Sequence, residues 1–183
     1  MSHQLVVILA VQLQQIKYQG RISMSGYGEP MLNKEVAGHI STFRHYLPKN
    51  IIEMNTNGDP LTVPNIQRVF EAGLTQMYVN LYDNKEQAAH FIKLFREADC
   101  HDFVMRPHFD AEDGYGLIIN NRSGIVKPRQ EPLEKRCHYP FYKMFVDWNG
   151  DVLFCANDWD RNLIIGNVQT DTIENIWMSD KMK

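Results

Sequence analysis

Residues 22–30 read Ile-Ser-Met-Ser-Gly-Tyr-Gly-Glu-Pro, and residues 51–58 read Ile-Ile-Glu-Met-Asn-Thr-Asn-Gly. Each is a short run that favours extended backbone, followed by glycine where the chain must turn. Together with Gln76–Tyr82 and Asp102–Arg106, the runs Arg21–Ser25 and Ile51–Thr56 predict four strands, spaced about one β-α unit apart. The stretches between them are amphipathic, and each carries an entry signal. Asn33 precedes Lys34–Tyr46, Pro64 sits in the first turn of Asn65–Ala72, and Asp83 with Glu86 makes a capping-box pattern before Gln87–Ala98.

Strand, helix, strand at this interval implies parallel pairing through right-handed crossovers, hence an α/β sheet or a section of barrel. Ligand chemistry in such folds belongs at the strand C-terminal ends, where Ser25–Pro30 and Thr56–Pro60 fall. Gln4–Tyr18 reads as a helix with no strand before it. From Gly114 the periodicity fails, which predicts a linker at 114–132 between a first domain at 1–113 and a second module at 133–183. In that module Lys143–Trp148 and Asp151–Cys155 flank Asn149-Gly150, a strong hairpin signal because both turn residues accept positive φ. Leu163–Val168 adds a strand, and a helix from near Asp171, with Glu174 in its capping box, carries Ile173, Ile176 and Trp177 on one face.

A chain of 183 residues that is 44% hydrophobic can bury a real core. Its net charge of −3, with Lys and Arg scattered, gives no footprint for nucleic acid. The apolar run Leu5–Val11 is too short for a bilayer and lacks leader-like flanks, so no membrane role and a cytoplasmic location are expected. Three cysteines, Cys100, Cys137 and Cys155, argue against a disulfide framework and leave thiol or metal chemistry open. A zinc site is a poor reading. His101, His108 and His138 lie near the cysteines, but no C-x2-C or H-x3-H pair occurs. Tyr139, Phe141, Tyr142 and Phe145 read as core of the small module, Asp110, Glu112 and Asp113 as a solvated loop, and Cys100 as structural.

Read with its strand, Gly26-Tyr-Gly-Glu-Pro30 resembles the Gly-Glu-Pro motif of the radical S-adenosylmethionine superfamily. Glu53–Gly58 resembles the Thr-Asn-Gly strand end that follows it one unit later. The resemblance implies an incomplete parallel (β/α)6 barrel whose first strand is missing, and S-adenosyl-L-methionine as cofactor. It implies that the backbone around Gly26, Tyr27, Gly28, Glu29 and Pro30 meets the cofactor's amino group, with further polar contacts from Asn57, Asn80 and Arg106. Arg106 suits a structural ion pair equally well. Cys137, Gly150 and Cys155 fit C-x12-G-x4-C, which is similar to the opening of the SPASM domain. Pro140-Phe141, Asp147–Asp151, Asp158-Trp159, Gly166–Val168 and Ile176-Trp177 agree with that pattern. This second resemblance implies Cys137 and Cys155 as ligands of an auxiliary [4Fe-4S] cluster, which takes three or four thiolates in all. A peptide or small-molecule substrate and a low-potential electron donor are implied with it.

The catalytic cluster of that superfamily is held by C-x3-C-x2-C, and no such motif precedes Gly26. The expectation is therefore a fragment truncated at both ends, inactive alone and prone to associate through an uncovered strand edge. Two other readings stand beside it. One is a non-catalytic α/β binding or scaffold protein derived from the family. The other is an ordinary α/β enzyme using Glu29 or Asp59 as acid or base, for which no partnered nucleophile is present.

Overall fold

The computed structural model describes residues 1–108 and 135–182. The acidic cluster Asp110, Glu112 and Asp113 and the expected linker 114–132 lie outside the described residues. Two compact units form: residues 18–108, and residues 1–17 with 135–182. No helix among the described residues is long and apolar enough to cross a membrane.

The first unit is built on four parallel strands in the order β1 (Ile22–Met24), β2 (Ile52–Thr56), β3 (Gln76–Leu81) and β4 (Phe103–Pro107). The pairing is Ile22 with Ile52, Met54 with Met77, and Val79 with Met105. The crossovers are α2 (Val36–Tyr46), α3 (Val63–Glu71) and α4 (Lys85–Glu97), which follow α1 (His3–Gln15) of the other unit in chain order. One face of the sheet is apolar and sealed. Ile52, Met54, Met77 and Val79 are wholly buried there, as are Ile40, Ile66, Val69 and Phe95 of the helices. Phe95 stacks on Phe103, with ring centroids 4.1 Å apart.

The strand alternation leaves the other face polar and half-exposed, with Glu53 and Asn55 on β2, Gln76, Tyr78 and Asn80 on β3, and Arg106 on β4.

The caps differ from expectation. Pro30–Leu32 forms a short 3-10 turn and Asn33 closes it, accepting from Glu35 N, so α2 starts at Val36 instead of at Lys34. Thr62 and Asn65 form the reciprocal cap of α3, which puts Pro64 in its first turn and its start before Asn65. Asn84, not Asp83, caps α4 by accepting from Gln87 N, while Asp83 takes the Gln87 side-chain amide. An Asn at the N-cap satisfies the same orphan N–H that an Asp would, and the neighbouring residue decides which one is in register.

The second unit contains α1, a three-stranded antiparallel sheet of β5 (Phe145–Val146), β6 (Asp151–Leu153) and β7 (Ile164–Asn167), and α5 (Ile173–Trp177). Thr172 caps α5 through Asn175 N, where Asp171 and Glu174 were expected to do so. Gln12 of α1 donates to Val168 O at 3.0 Å and accepts from Ile173 N at 2.7 Å, so α1, which the sequence places with the first domain, is bonded within this unit. Val152, Leu153, Ile165, Val168, Ile173 and Ile176 form its core.

The aromatic segment expected in that core lies outside it. Tyr139, Phe141 and Tyr142 are each more than half exposed, with Lys143 over the Tyr139 ring and Arg136 over Phe141. The 3-10 turn Tyr139–Phe141 buries only its central Pro140.

Candidate functional site

Glu29 organises the strand ends of the first unit. Its Oε1 accepts from Met31 N at 2.9 Å and from Thr56 Oγ1 at 2.7 Å, and its Oε2 accepts from Asn57 N at 2.8 Å. Thr56 Oγ1 in turn accepts from Gly58 N at 3.0 Å. The carboxylate therefore staples the loop after β1 to the end of β2. Both oxygens are occupied, which removes Glu29 as a free acid or base. Asp59 is likewise engaged, accepting from Asn57 Nδ2 at 3.0 Å and donating its N–H to Asn57 Oδ1.

Glycine serves two different purposes in these loops. Gly58 has φ +86° and faces the Phe91 ring, so the fold itself requires it. Gly28 has no positive φ, and a Cβ there would meet no protein atom within 4 Å. The backbone at Gly28 is open to whatever approaches it.

Asn80 and Arg106 are register partners on β3 and β4 and share the polar face. Arg106 Nη1 donates to Asn55 Oδ1 at 2.9 Å, and its guanidinium lies 3.8 Å from the centre of the Tyr78 ring. Asn80 Oδ1 is 3.1 Å from His108 Nε2, and the His108 ring stacks on Tyr82. Arg21 pairs with Glu53 at 3.0 Å on the same face. Asn55 and Tyr78 were not picked out from the sequence, and His108 was weighed only for zinc, although strict alternation along β2 and β3 places the first two beside Asn80. The predicted residues thus form two groups: Gly26–Pro30 with Asn57 through the Glu29 staple, and Asn80 with Arg106 on the sheet.

In the second unit the thiols occupy different settings. Cys137 is exposed, while Cys155 is half-buried just beyond β6 and its Sγ accepts from Asn157 N at 3.4 Å. Such an N–H···S bond is how cluster-ligating sulfurs are tuned. Two thiols fall short of the three or four that a cubane cluster takes, and no group of three metal-binding side chains occurs among the described residues. Burial raises the pKa of Cys100, with Asp99, Asp102 and Glu71 adding to the shift, which disfavours its thiolate form.

The turn between β5 and β6 is locked by charge. Arg161 meets Asp147 at 3.0 Å and Asp151 at 2.8 Å, Asn149 and Asn167 each bond Asp151, and Asp147 is 7% exposed. Gly150, with φ +90°, packs against Asn167 and Gln169. The glycine of C-x12-G-x4-C is therefore there for the turn, not for metal.

The hydrogen bonds from Asn167 and Asn149, and the nearby Arg161 charge, hold the Asp151 carboxyl below its ordinary value. A lowered folded pKa means stability that is complete above about pH 4 and is lost as pH falls through the lowered value. All three tryptophans, Trp148, Trp159 and Trp177, lie in this unit. Acid titration followed by tryptophan fluorescence is expected to show a loss below about pH 4 that Asp151→Asn flattens. An unchanged acid limb in the variant would refute this.

Residues 137–183 match the SPASM family, described as an iron–sulfur cluster-binding domain. The S-adenosyl-L-methionine-dependent 2-deoxy-scyllo-inosamine dehydrogenase of Niallia circulans is 30% identical over 176 residues, covering 94% of this chain and 68% of that protein. Among solved structures, BtrN in complex with AdoMet and 2-DOIA superposes with a TM-score of 0.82 at 28% identity, over the whole chain and 71% of BtrN. An open conformation of BtrN gives 0.73 at 24% identity, covers the whole chain and 70% of BtrN, and supports the fold alone. A relative of this identity and coverage, together with the SPASM match, shows the family: the chain belongs to the radical S-adenosylmethionine enzymes that carry a SPASM domain.

Proposed function

We propose that this chain carries the S-adenosyl-L-methionine cradle and the first auxiliary-cluster ligands of a radical enzyme acting on a small polar molecule. The Glu29 staple carries this reading. It fixes the loop Gly26–Pro30 against Thr56 and Asn57 and leaves the Gly28 backbone open, so Gly26, Tyr27, Gly28 and Pro30 offer main-chain groups to the cofactor's amino end, with Asn57 beside them. Glu29 contributes through position, since both its oxygens already accept from the chain. Cys137 and Cys155 are two ligands of an auxiliary [4Fe-4S] cluster, with Cys155 pre-oriented by Asn157 N. The chemistry such cofactors supply when bound is one-electron reductive cleavage that starts a radical reaction, with the electron drawn from a low-potential donor.

A small-molecule substrate is supported by the relative named for 2-deoxy-scyllo-inosamine. It is also supported by a sheet face of amides, hydroxyls, one carboxylate and two guanidinium groups, those of Arg21 and Arg106. Free thiols suit a reducing, cytoplasmic setting.

The 183 residues contain no C-x3-C-x2-C, so the chain alone lacks the ligands for the cluster that cleaves the cofactor. Anaerobic reconstitution with iron and sulfide is therefore expected to yield no 5′-deoxyadenosine, and turnover by the 183-residue chain would overturn this part of the reading. The same missing motif favours, as the second reading, a non-catalytic binding protein that keeps the family's α/β shell.

A further inference from the structure

The segment around Cys137 puts aromatic and cationic side chains on one stretch of surface. Tyr139, Phe141 and Tyr142 are 56%, 52% and 59% exposed, and three neighbouring rings left in water mark a contact surface. Between residues 135 and 146 the Lys and Arg residues are Lys135, Arg136 and Lys143, all exposed, and there is no Asp or Glu. A wider count keeps the excess: residues 122–146 hold six Lys or Arg against Glu131 and Glu134, in a chain whose net charge is −3. The next carboxylates, Asp147 and Asp151, are taken by Arg161.

The rings are held in place by their neighbours. The Arg136 guanidinium lies 5.1 Å over Phe141, the Lys143 ammonium lies 4.9 Å over Tyr139, and the Tyr139 and Tyr142 centroids are 5.3 Å apart. Such contacts cut the side-chain freedom that a partner would otherwise have to remove. Cys137 is exposed within this stretch and close enough to act electrostatically on the Tyr142 hydroxyl.

We propose that the face Lys135–Lys143 docks an acidic, low-potential iron–sulfur protein of the ferredoxin type. Aromatic residues and Arg are the side chains that interfaces favour, and a cationic rim speeds encounter with an acidic partner. Transient redox complexes need less than about 1,200 Å² of contact, which a patch of this kind can supply. The sulfur that would hold the auxiliary cluster surfaces inside the patch, so a partner seated there is brought to it. The role of Cys137 and the class of donor rest on the proposed function, whereas the docking chemistry belongs to these exposed side chains.

Biolayer interferometry of the 183-residue chain against an acidic plant-type [2Fe–2S] ferredoxin is the experiment, with poly-L-glutamate and a single-stranded RNA as charge-only probes. Ferredoxin affinity is expected to fall at least about tenfold from about 20 to about 200 mM salt. Reversing the three charges together, in Lys135→Glu, Arg136→Glu and Lys143→Glu, should weaken it at least about tenfold at low salt. Phe141→Ser should cost about fivefold or more without changing the salt dependence. Lys49→Glu, at an exposed position of the other unit, should change nothing. Bound ferredoxin should slow alkylation of Cys137 and leave that of Cys100 unaltered, a footprint that needs no variant.

No binding at low salt, or binding that survives the triple reversal, overturns the proposal. So does equal or tighter binding of poly-L-glutamate or RNA, which would mean unspecific charge attraction or a nucleic-acid surface. A doubled mass in sedimentation without ferredoxin, abolished by the triple reversal, would assign the face to a second copy of the chain instead. Failure of the cluster reading shows elsewhere: with iron, sulfide and dithiothreitol added to complete the ligand set, wild type and Cys137→Ser would develop the same visible absorption, whatever ferredoxin does.

Discussion

Glu29→Ala is expected to destabilise the first unit by about 3 kcal/mol, because three donors lose an acceptor shared across two strand ends and charged hydrogen bonds are worth about 1.5–3 kcal/mol each, not fully additively. Thr56 Oγ1 would lose its acceptor while still accepting from Gly58 N, and the Met31 and Asn57 amides would have to find water. Glu29→Gln separates charge from shape. A glutamine keeps one acceptor oxygen and turns the other into a donor facing either Asn57 N or the Met31 and Thr56 pair, so about half the loss should remain. Urea unfolding followed by far-UV circular dichroism, with hydrogen exchange at Asn57 N, checks both variants. A wild-type midpoint in Glu29→Ala would mean that the staple contributes nothing. Binding of S-adenosyl-L-methionine should fall with it, since the loop is then no longer fixed to β2.

A second large effect is expected from Gly58→Ala, at about 3 kcal/mol or more, from positive φ and steric overlap acting together. Its φ of +86° disfavours any side chain, and its Cβ would be driven into the ring of Phe91, which is 3% exposed. The two contributions can be told apart in a double-mutant cycle with Phe91→Leu, which makes room but leaves the backbone strain. A Gly58→Ala penalty that Phe91→Leu does not relieve would assign the whole loss to φ. No penalty at all would contradict the described turn.

These two residues show how legible the molecule is from its sequence. The four strands and three crossover helices follow from Gln76–Tyr82 and its counterparts because periodicity and capping are local properties. These four strands come out within one residue of their observed ends. Which asparagine caps α4 is not local, since Asp83 and Asn84 are chemically near-equivalent and backbone register chooses between them. Gly58 and Gly28 look alike in sequence, and only the position of Phe91 distinguishes a glycine the fold needs from one it does not.

The Arg106–Tyr78–Asn55 contact joins three strands, so only the register could reveal it. The exposed Tyr139–Tyr142 segment misled because hydrophobicity alone favours burial, whereas the short 3-10 turn has only one residue to give to the core.

Gly28 gives the most direct test of the central claim, that the loop after β1 is shaped for a ligand more than for the fold. Isothermal titration of S-adenosyl-L-methionine into the wild type and into Gly28→Val is the measurement, with thermal unfolding of both. Because a Cβ added there has no protein atom within 4 Å beyond its chain neighbours, and φ is not positive, the unfolding midpoint should not move. Affinity should drop by at least about tenfold, or about 1.4 kcal/mol. A wild type that does not bind the cofactor, or a Gly28→Val chain that binds it as tightly as the wild type, would contradict the account.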